Sequence, residues 1–345
     1  MAQSLAGRPT PAGNIENFIG WIKVPLGQAS GLVVNGQSYN LPLATTEGAL
    51  IASVNRGCKA TRLSGGIMAI VENIGATRGP VFNVKNLTEG KKLIDWVKTN
   101  FSLLRKAAET TGSHLQLLDV VPAMAGRQVW LRFRFDTSEA MGMNMATIAT
   151  QAIVDLITKK LKINCVALSG NYCVDKKPSW LNFIYGRGKK VWAEAMISRK
   201  IVKTVLKTTP EKIIAVVHDK DWLGSIMSGS MGANGHFANI VAAMFLATGQ
   251  DMAHVVEGSL GVTTAELEKR DLYFSVYLPA LMVGTVGGGT RLPTQTKALS
   301  MLGNPTAMEL AGIIGGAVLA GELSLTAALS SGDLAKAHQL LGRPK

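Results

Sequence analysis

The chain has 345 residues, 47% hydrophobic and 17% charged, which is ample apolar material for a large core and excludes a disordered polymer. Its length suggests two domains, or one large domain carrying an insertion. A net charge of +13 invites a nucleic-acid reading. However, Lys and Arg are spread along the chain without a basic tract, an aromatic platform or a nucleic-acid motif, so no such partner is expected and a subset of cations is left for a polyanionic small ligand.

The N-terminal "MAQSLAGRPTPAGN" lacks a basic start followed by an apolar run, so no signal peptide is expected. Cys58, Cys165 and Cys173 form no C-x-x-C pair, which predicts a reduced, cytoplasmic protein. Early in the chain, Glu47 sits in a Thr-Thr-Glu-Gly turn before an apolar run from Ala49, placed to cap a helix start. Residues 87–106 are patterned as one helix, ending before Thr110-Thr111-Gly112. Val129, Leu131, Phe133 and Phe135 alternate with Trp130, Arg132 and Arg134, the period of a strand. After Asp136-Thr137-Ser138, apolar residues at Met141, Met145, Ile148, Ala149, Ala152 and Leu156 follow helical spacing, and residues 163–168 read as the next strand.

This helix, strand, helix, strand unit over residues 80–168 predicts a small domain inserted into a larger one made of 1–79 and 169–345. The expected class is α+β: a large α/β domain with a buried central helix, plus a small ferredoxin-like α+β insertion. In the larger part, residues 239–248 form a strongly apolar helix ending at Gly249. Asp251 lies just beyond it, where a carboxylate opposes the helix dipole and calls for a compensating cation. Residues 272–278 read as a strand feeding the loop Gly284–Thr290, and 306–329 as helix. The run 310–320 contains three glycines and is followed by Glu322, so a buried helix is expected and not a membrane span. An amphipathic stretch, residues 333–341, carries His338.

No G-x-G-x-x-G, G-x-x-x-x-G-K-[ST], H-E-x-x-H or G-x-S-x-G is present, and the five histidines lack metal-ligand spacing, so no metal is expected. Taken one by one, the polar residues Glu47, Lys176, Asp251 and His338 fit ordinary surface roles. Together they offer an acid, a cation, a second carboxylate and an imidazole, a set able to protonate a carbonyl under reduction and a leaving group.

Nine stretches then resemble the 3-hydroxy-3-methylglutaryl-coenzyme A (HMG-CoA) reductases, in that family's order and over nearly the whole chain. They are "ENFIG" at Glu16, "LATTEGALIASVNRGCKA" at Leu43, "TRGP" at Thr77, "EAMGMNM" at Glu139, "SGNYCVDKKP" at Ser169, "GRGKKV" at Gly186, "GHFANIVAAMFLATGQD" at Gly235, "GTVGGGT" at Gly284 and "AGELSLTAAL" at Ala320. The "DKKP" loop and short N-terminus resemble the archaeal, soluble class I branch. The resemblance implies reduction of HMG-CoA to mevalonate and coenzyme A with two NADPH, in a homodimer or higher homo-oligomer with shared active sites. The alternative it leaves is a class II-like, NADH-linked enzyme running in the oxidative, catabolic direction.

By the same resemblance, Lys176 opposes the oxyanion, with Lys177 as the neighbouring alternative that spacing leaves open. His338 protonates the departing thiolate, Glu47 supplies a proton to the aldehyde, and Asp251 tunes Lys176 and Glu47. Arg78, Ser169, Lys220, Asn239 and His236 correspond to substrate contacts. Glu139, Met141, Gly142, Met143, Asn144, Ser113, His114, Gly287 and Gly288 correspond to cofactor contacts. Within "EAMGMNM" the helix start, with Gly142 for backbone approach and Asn144 for amide contacts, suits a pyrophosphate, while the methionines wall it. The sequence departs from animal members in Ala337, where those carry serine, and in residues 110–114, which hold hydroxyls and an imidazole but no arginine for a 2′-phosphate. That leaves NADH use open beside NADPH.

Overall fold

Asn35 and Gly36 both hold positive φ (+50° and +81°), as a two-residue type I′ turn requires. They fold β1 (Leu26–Val34) back on β2 (Gln37–Ala44) as an antiparallel hairpin. The structure, a computed structural model, describes residues 15–332. After the hairpin come α1 (Gly48–Arg62), the long β3 (Met68–Arg78), β4 (Val81–Asn83), α2 (Leu87–Thr99), α3 (Phe101–Glu109), β5 (Gln116–Ala125), β6 (Gln128–Asp136), α4 (Met143–Leu161) and β7 (Asn164–Ala167). Next are α5 (Trp180–Tyr185), β8 (Gly188–Ile197), α6 (Arg199–Thr204), α7 (Pro210–Val216), a π-helical stretch Val217–Gly224 and α8 (Ser225–Ser228). Then follow α9 (Phe237–Thr248), α10 (Val255–Gly258), β9 (Val262–Glu268), β10 (Asp271–Leu281), α11 (Pro293–Met301) and α12 (Ala307–Ser331).

One antiparallel sheet runs β7-β4-β6-β3-β8-β10-β9, with β5 added beside β6. β3 serves both halves: its first part pairs with β8, and Ala76–Arg78 pair with β6. The segment from β4 to β7 has the order β7-β4-β6-β5 and the connectivity βαββαβ, which is the ferredoxin-like arrangement. Its helices cover one face, closing a core of Phe82, Val97, Leu104, Phe133, Phe135, Ile153 and Ile157. A second, larger core gathers around α12, which lies between β3, β8 and β10 on one side and α1 and α9 on the other.

α12 starts with a capping box: the Glu309 N–H donates to the Thr306 hydroxyl at 3.2 Å, and the Thr306 N–H donates to the Glu309 carboxylate at 2.7 Å. Among the described residues it is the one helix long and apolar enough to cross a bilayer, but 94% of its most apolar window is buried within the protein. It is the expected buried central helix.

One local reading changes, and one buried charge has no local sign. Residues 87–106 are not one helix, because Asn100 (φ −104°, ψ 25°) ends α2 and starts α3, its side-chain amide donating to the Trp96 carbonyl at 2.9 Å. Arg132, on the polar side of the β6 alternation, is buried instead of exposed, because the next layer of chain covers that face. It donates to the Gly186 carbonyl at 3.2 Å. Burial, and then repulsion from Arg187 and Arg134, push its guanidinium down to about 10.

Candidate active site

A cleft of about 510 Å³ opens where four sequence-distant segments converge: Ala140–Met145, Asp175-Lys176 and the two loops Gly249–Asp251 and Gly284–Thr290. The first loop and the fourth are zipped together, since the Thr285 N–H donates to the Glu139 carbonyl at 2.8 Å. Gln250 pins the fourth loop from below: its side chain both donates to the Gly284 carbonyl and accepts from the Gly284 N–H, each at 2.9 Å. Gly287 and Gly288 line the cleft, and a Cβ added at either would meet open space.

The start of α4 faces this cleft. Gly142 precedes it at φ +86°, and no side chain caps the helix. Uncapped N–H groups and the positive end of a 19-residue helix make an anion site. The reason for glycine at 142 is nevertheless internal: beyond its φ, a Cβ there would lie 2.3 Å from the Thr137 side chain. Asn144 lines the cleft as expected. Met143 is buried, with its sulfur accepting from Arg187 at 2.8 Å, while Met141 and Met145 pack against the smaller core. Glu139 lies outside the cleft lining. Its carboxylate accepts from the Ala307 N–H at 2.5 Å and from the Thr285 hydroxyl at 3.3 Å, which ties the loop to the start of α12. Ser113 and His114, in the turn between α3 and β5, do not line the cleft either.

Across the cleft, the Lys176 ammonium lies 2.8 Å from Asp251. This is the cation that a carboxylate at the end of an apolar helix calls for. Burial alone would raise the Asp251 carboxyl, but the hydrogen bond from Lys176, the Ala253 N–H and the nearby His254 hold it below the usual carboxylate range. Lys177 instead reaches back to the Asp175 carbonyl at 3.2 Å on the surface, so of the two lysines it is Lys176 that faces the cleft. The loop carrying them is strained, with Asn171, Val174 and Lys176 all at φ between +52° and +62°. For a β-branched valine that conformation is a true outlier, and such strain is stored where surroundings over-determine the backbone.

Those surroundings are a buried ionic network. The fully buried Arg187 donates to the Thr77 hydroxyl at 2.8 Å, to Asp175 at 2.9 Å and to the equally buried Glu257. Glu257 in turn accepts from the Lys176 N–H at 3.3 Å and contacts His254 Nδ1 at 2.7 Å. Asp175, His254 and Glu257 bring possible metal ligands within 4.8 Å of one another, and the Arg187 guanidinium supplies positive charge to all three. Arg78 lines the cleft beside them, bonded to the Thr147 hydroxyl at 2.6 Å and 3.8 Å from Asp175. Ser169 sits at the base of the same loop, its hydroxyl 3.4 Å from the Cys173 sulfur. Burial opposes ionisation of that thiol, but Ser169, backbone N–H groups and Arg78 outweigh it and bring it below the ordinary thiol value.

The remaining expected residues form a second group at the other end of α9. Glu47 occupies the N-cap position of α1 but makes no capping hydrogen bond, so the capping reading fails. Its carboxylate accepts instead from the Asn239 amide at 3.2 Å. His236 donates through Nδ1 to Glu322 at 2.8 Å, and Glu322, buried in mid-α12, also accepts from the N–H groups of Gly235 and His236 and from the Thr263 hydroxyl. Lys220, on the π-helical stretch, bonds Asp221 at 2.7 Å. Burial raises the Asp221 carboxyl against the pull of Lys220. His338 lies outside the described residues.

Five contributors escaped the sequence reading: Arg187, His254, Glu257, Glu322 and Asp221. A signal existed for two of them. Asp251, His254 and Glu257 recur every three residues across a helical start, which stacks three titratable groups on one side. Arg187 and Asp221 carried no local sign, since only tertiary packing buries them.

A family model described as hydroxymethylglutaryl-coenzyme A reductase matches residues 4–343. The 3-hydroxy-3-methylglutaryl-coenzyme A reductase of Methanocaldococcus jannaschii is 50% identical over 343 residues, covering 96% of this chain and 85% of that protein. That of Haloferax volcanii is 50% identical over 341 residues, covering 95% and 85%. Among solved structures, the class II 3-hydroxy-3-methylglutaryl-CoA reductase from Streptococcus pneumoniae, bound to NADPH in open conformations, is alike in fold. It has a TM-score of 0.76 at 22% identity, covering 91% of this chain and 87% of that one.

Proposed function

Because this chain belongs to the hydroxymethylglutaryl-coenzyme A reductase family, we propose that the cleft between α4 and the Lys176–Asp251 pair is where it reduces HMG-CoA. The chain is an oxidoreductase that converts HMG-CoA to mevalonate and coenzyme A in two steps and four electrons. The observation that carries the assignment is the convergence of an uncapped helix N-terminus and a paired lysine in one cavity. The smaller, ferredoxin-like unit is then the nucleotide-binding domain, and NADPH the cofactor. The cleft fits that group: α4 presents free N–H groups to a pyrophosphate, and Gly287 and Gly288 leave room beside it.

Bound there, the nicotinamide supplies the hydride for each reduction. Lys176 is the proposed cation that stabilises the negative charge building on the thioester oxygen, and Asp251, 2.8 Å from its ammonium, holds it in place. Arg78, anchored on Thr147, offers a second cation to the substrate's free carboxylate. His338 is the proposed proton donor to the departing thiolate. Glu47 is the proposed donor to the aldehyde in the second step, with Asn239 orienting its carboxylate.

Glu47 and Asp251 do not meet within one chain. Asn239 and Thr248 are nine residues apart along α9, about 14 Å at 1.5 Å per residue, and Glu47 is bonded at the first end while Asp251 lies beyond the second. This separation supports a homodimer in which each site takes Glu47, His236, Lys220 and Asn239 from one copy and Lys176 and Asp251 from the other. Two exposed apolar surfaces support it further. Residues 15–24 project Ile19 and Ile22 at 101% and 93% exposure, and the uncovered sheet face carries Met68, Ile70, Trp192 and Met196. Mixing inactive Glu47→Gln and Lys176→Met chains should restore activity through hybrid dimers, and a mixture as inactive as its parts would refute the shared site.

A second cleft holds Arg56, Lys59, Arg62 and Lys207 with no acidic residue among its lining. It lies along α1 about 18 Å from Glu47, by helical rise, and is the proposed seat of the phosphates of coenzyme A. Free cysteines agree with a cytoplasmic setting. The direct test follows NADPH absorbance on addition of HMG-CoA, then repeats it with NADH. HMG-CoA-dependent oxidation favouring NADPH is expected. NADH efficiency equal or better would overturn the cofactor choice, and no oxidation with either would overturn the functional reading.

A further inference from the structure

Val174, a β-branched residue at φ +52°, is strained two positions before Lys176, itself at φ +58°. Three buried side chains from three elements hold the backbone there. The Thr77 hydroxyl of β3 donates to the Cys173 carbonyl at 2.8 Å, and the Asn182 amide of α5 donates to the Val174 carbonyl at 2.9 Å. Glu257 of α10 accepts from the Lys176 N–H at 3.3 Å. Thr77 and Glu257 also bond Arg187 and so belong to the ionic network. Asn182 does not. Among the described residues its side chain bonds Val174 alone, and its Oδ1 accepts from no protein group.

A fully buried asparagine with half its amide unpaired is poor packing material, since an apolar side chain would fill the space without that cost. What it supplies is a donor, which a leucine or a carboxylate of similar size could not offer. The helix that carries it is firmly based. Ser179 caps α5 by accepting from the Leu181 N–H at 3.1 Å, and the Phe183 ring packs edge-on against Trp180 and Tyr277 at 5.6 and 5.9 Å. The Tyr277 hydroxyl of β10 donates to the Phe183 carbonyl at 3.1 Å. We propose that Asn182 is a positioning residue for the reduction: by anchoring the Val174 carbonyl, it holds the left-handed turn that aims the Lys176 ammonium at Asp251. Asn182 does not line the cleft and acts only through Lys176. The inference therefore rests on the reading of Lys176 as the cation for the oxyanion.

The test uses the full chain with Val174→Gly, Val174→Ala, Asn182→Ala and the double variant Asn182→Ala/Val174→Gly. Glycine melts below alanine where φ is negative, but at φ +52° Val174→Gly should melt above Val174→Ala. With HMG-CoA and NADPH, Asn182→Ala should lower kcat by about 10²-fold, the scale of a misplaced catalytic group. KM for HMG-CoA should stay within about threefold, as for an interaction felt only in the transition state. Val174→Gly takes up the turn without strain, so adding it to Asn182→Ala should recover about tenfold in kcat, a coupling expected only of residues that act together. An asparagine that merely packs would lower the melting temperature without that split and without rescue from position 174. A kcat in Asn182→Ala within about threefold of wild type, no recovery in the double variant, or Val174→Gly melting below Val174→Ala would each overturn the proposal. Should Asn182→Ala not fold, the double variant should, and an equally unfolded double variant would overturn the coupling. The wild-type rate is the control for the functional reading. If that rate were absent, a crystal structure of Asn182→Ala would still decide the role of Asn182. Val174 should leave its left-handed φ and Lys176 should part from Asp251, whereas an unmoved turn with the 2.8 Å contact intact would overturn it.

Discussion

Replacing Glu322 by Gln should destabilise the protein and loosen the Lys220–Asn239 side of the site. Glu322 is fully buried in α12 and accepts four hydrogen bonds: from the Gly235 N–H at 2.7 Å, the His236 N–H at 2.7 Å, His236 Nδ1 at 2.8 Å and the Thr263 hydroxyl at 2.8 Å. A glutamine of the same shape keeps one oxygen for His236 and turns an NH2 toward Gly235 and Thr263. The threonine hydroxyl can rotate and accept, but the Gly235 N–H cannot, and an orphaned buried donor costs about 1–3 kcal/mol. Loss of the charge on the two His236 bonds adds roughly 1 kcal/mol, because charge-assisted bonds exceed neutral ones by about that much. The sum, about 3 kcal/mol, corresponds to a fall of roughly 6 °C in melting temperature at about 2 °C per kcal/mol.

The sign of the pH dependence follows from the same contacts. Burial alone would raise the Glu322 carboxyl, but His236, the Gly235 N–H and Thr263 hold it below the ordinary carboxylate value. A depressed folded value means that its contribution is present above the unfolded carboxyl value of about 4.3 and is lost as pH falls through the folded one. Melting curves at pH 7 and pH 4 should therefore differ less in Glu322→Gln than in the wild type. A melting temperature at pH 7 within 1–2 °C of wild type would refute the reasoning, since it would mean that four bonds to a buried carboxylate contribute nothing net.

Lys176→Met should lower kcat by about 10²- to 10³-fold, the usual cost of removing one preorganised stabiliser of an oxyanion, with little change in melting because the pair is partly exposed; a loss under tenfold in NADPH oxidation would count against its role. Glu47→Gln should leave the melting temperature within about 1 °C, because the carboxylate caps nothing, while turnover falls by about 10²-fold; a cap-sized loss of stability at full activity would reverse that reading. Arg187→Met leaves Asp175 and Glu257 without their buried counter-ion and should cost about 3–5 kcal/mol, visible as a large fall in melting temperature that adding Glu257→Gln partly recovers. Failure of the double variant to regain any stability would show that the arginine matters through packing and not through charge.

Much of this molecule was legible in one dimension because the signals concerned are local. Alternation along 129–135 marks β6, Gly249 at φ +75° ends α9, and Asn35-Gly36 closes the first hairpin. Where the local signal was ambiguous the reading slipped. A helical period continues across Asn100, yet that residue's side-chain amide donates to the Trp96 carbonyl of α2 and the run breaks there. Arg132 alternates as a surface residue should, and only the layer packed over β6 reveals it as buried.

The sequence by itself determined the element types and the buried central helix, and supplied the residue types proposed for the chemistry, since these depend on periodicity, turn chemistry and side-chain type. Tertiary structure alone decided which of those residues share a cavity. The fold brings the 169–178 loop against the turn that follows α9, so that Lys176 and not Lys177 reaches Asp251. It buries Arg187 against Glu257, which no local pattern required. It also holds Glu47 a helix length from that pair, bonded to Asn239. The physical reason is range: backbone preference and amphipathic period act over a few residues, whereas the partner of a buried charge is chosen by strands and helices that meet only once the chain has folded.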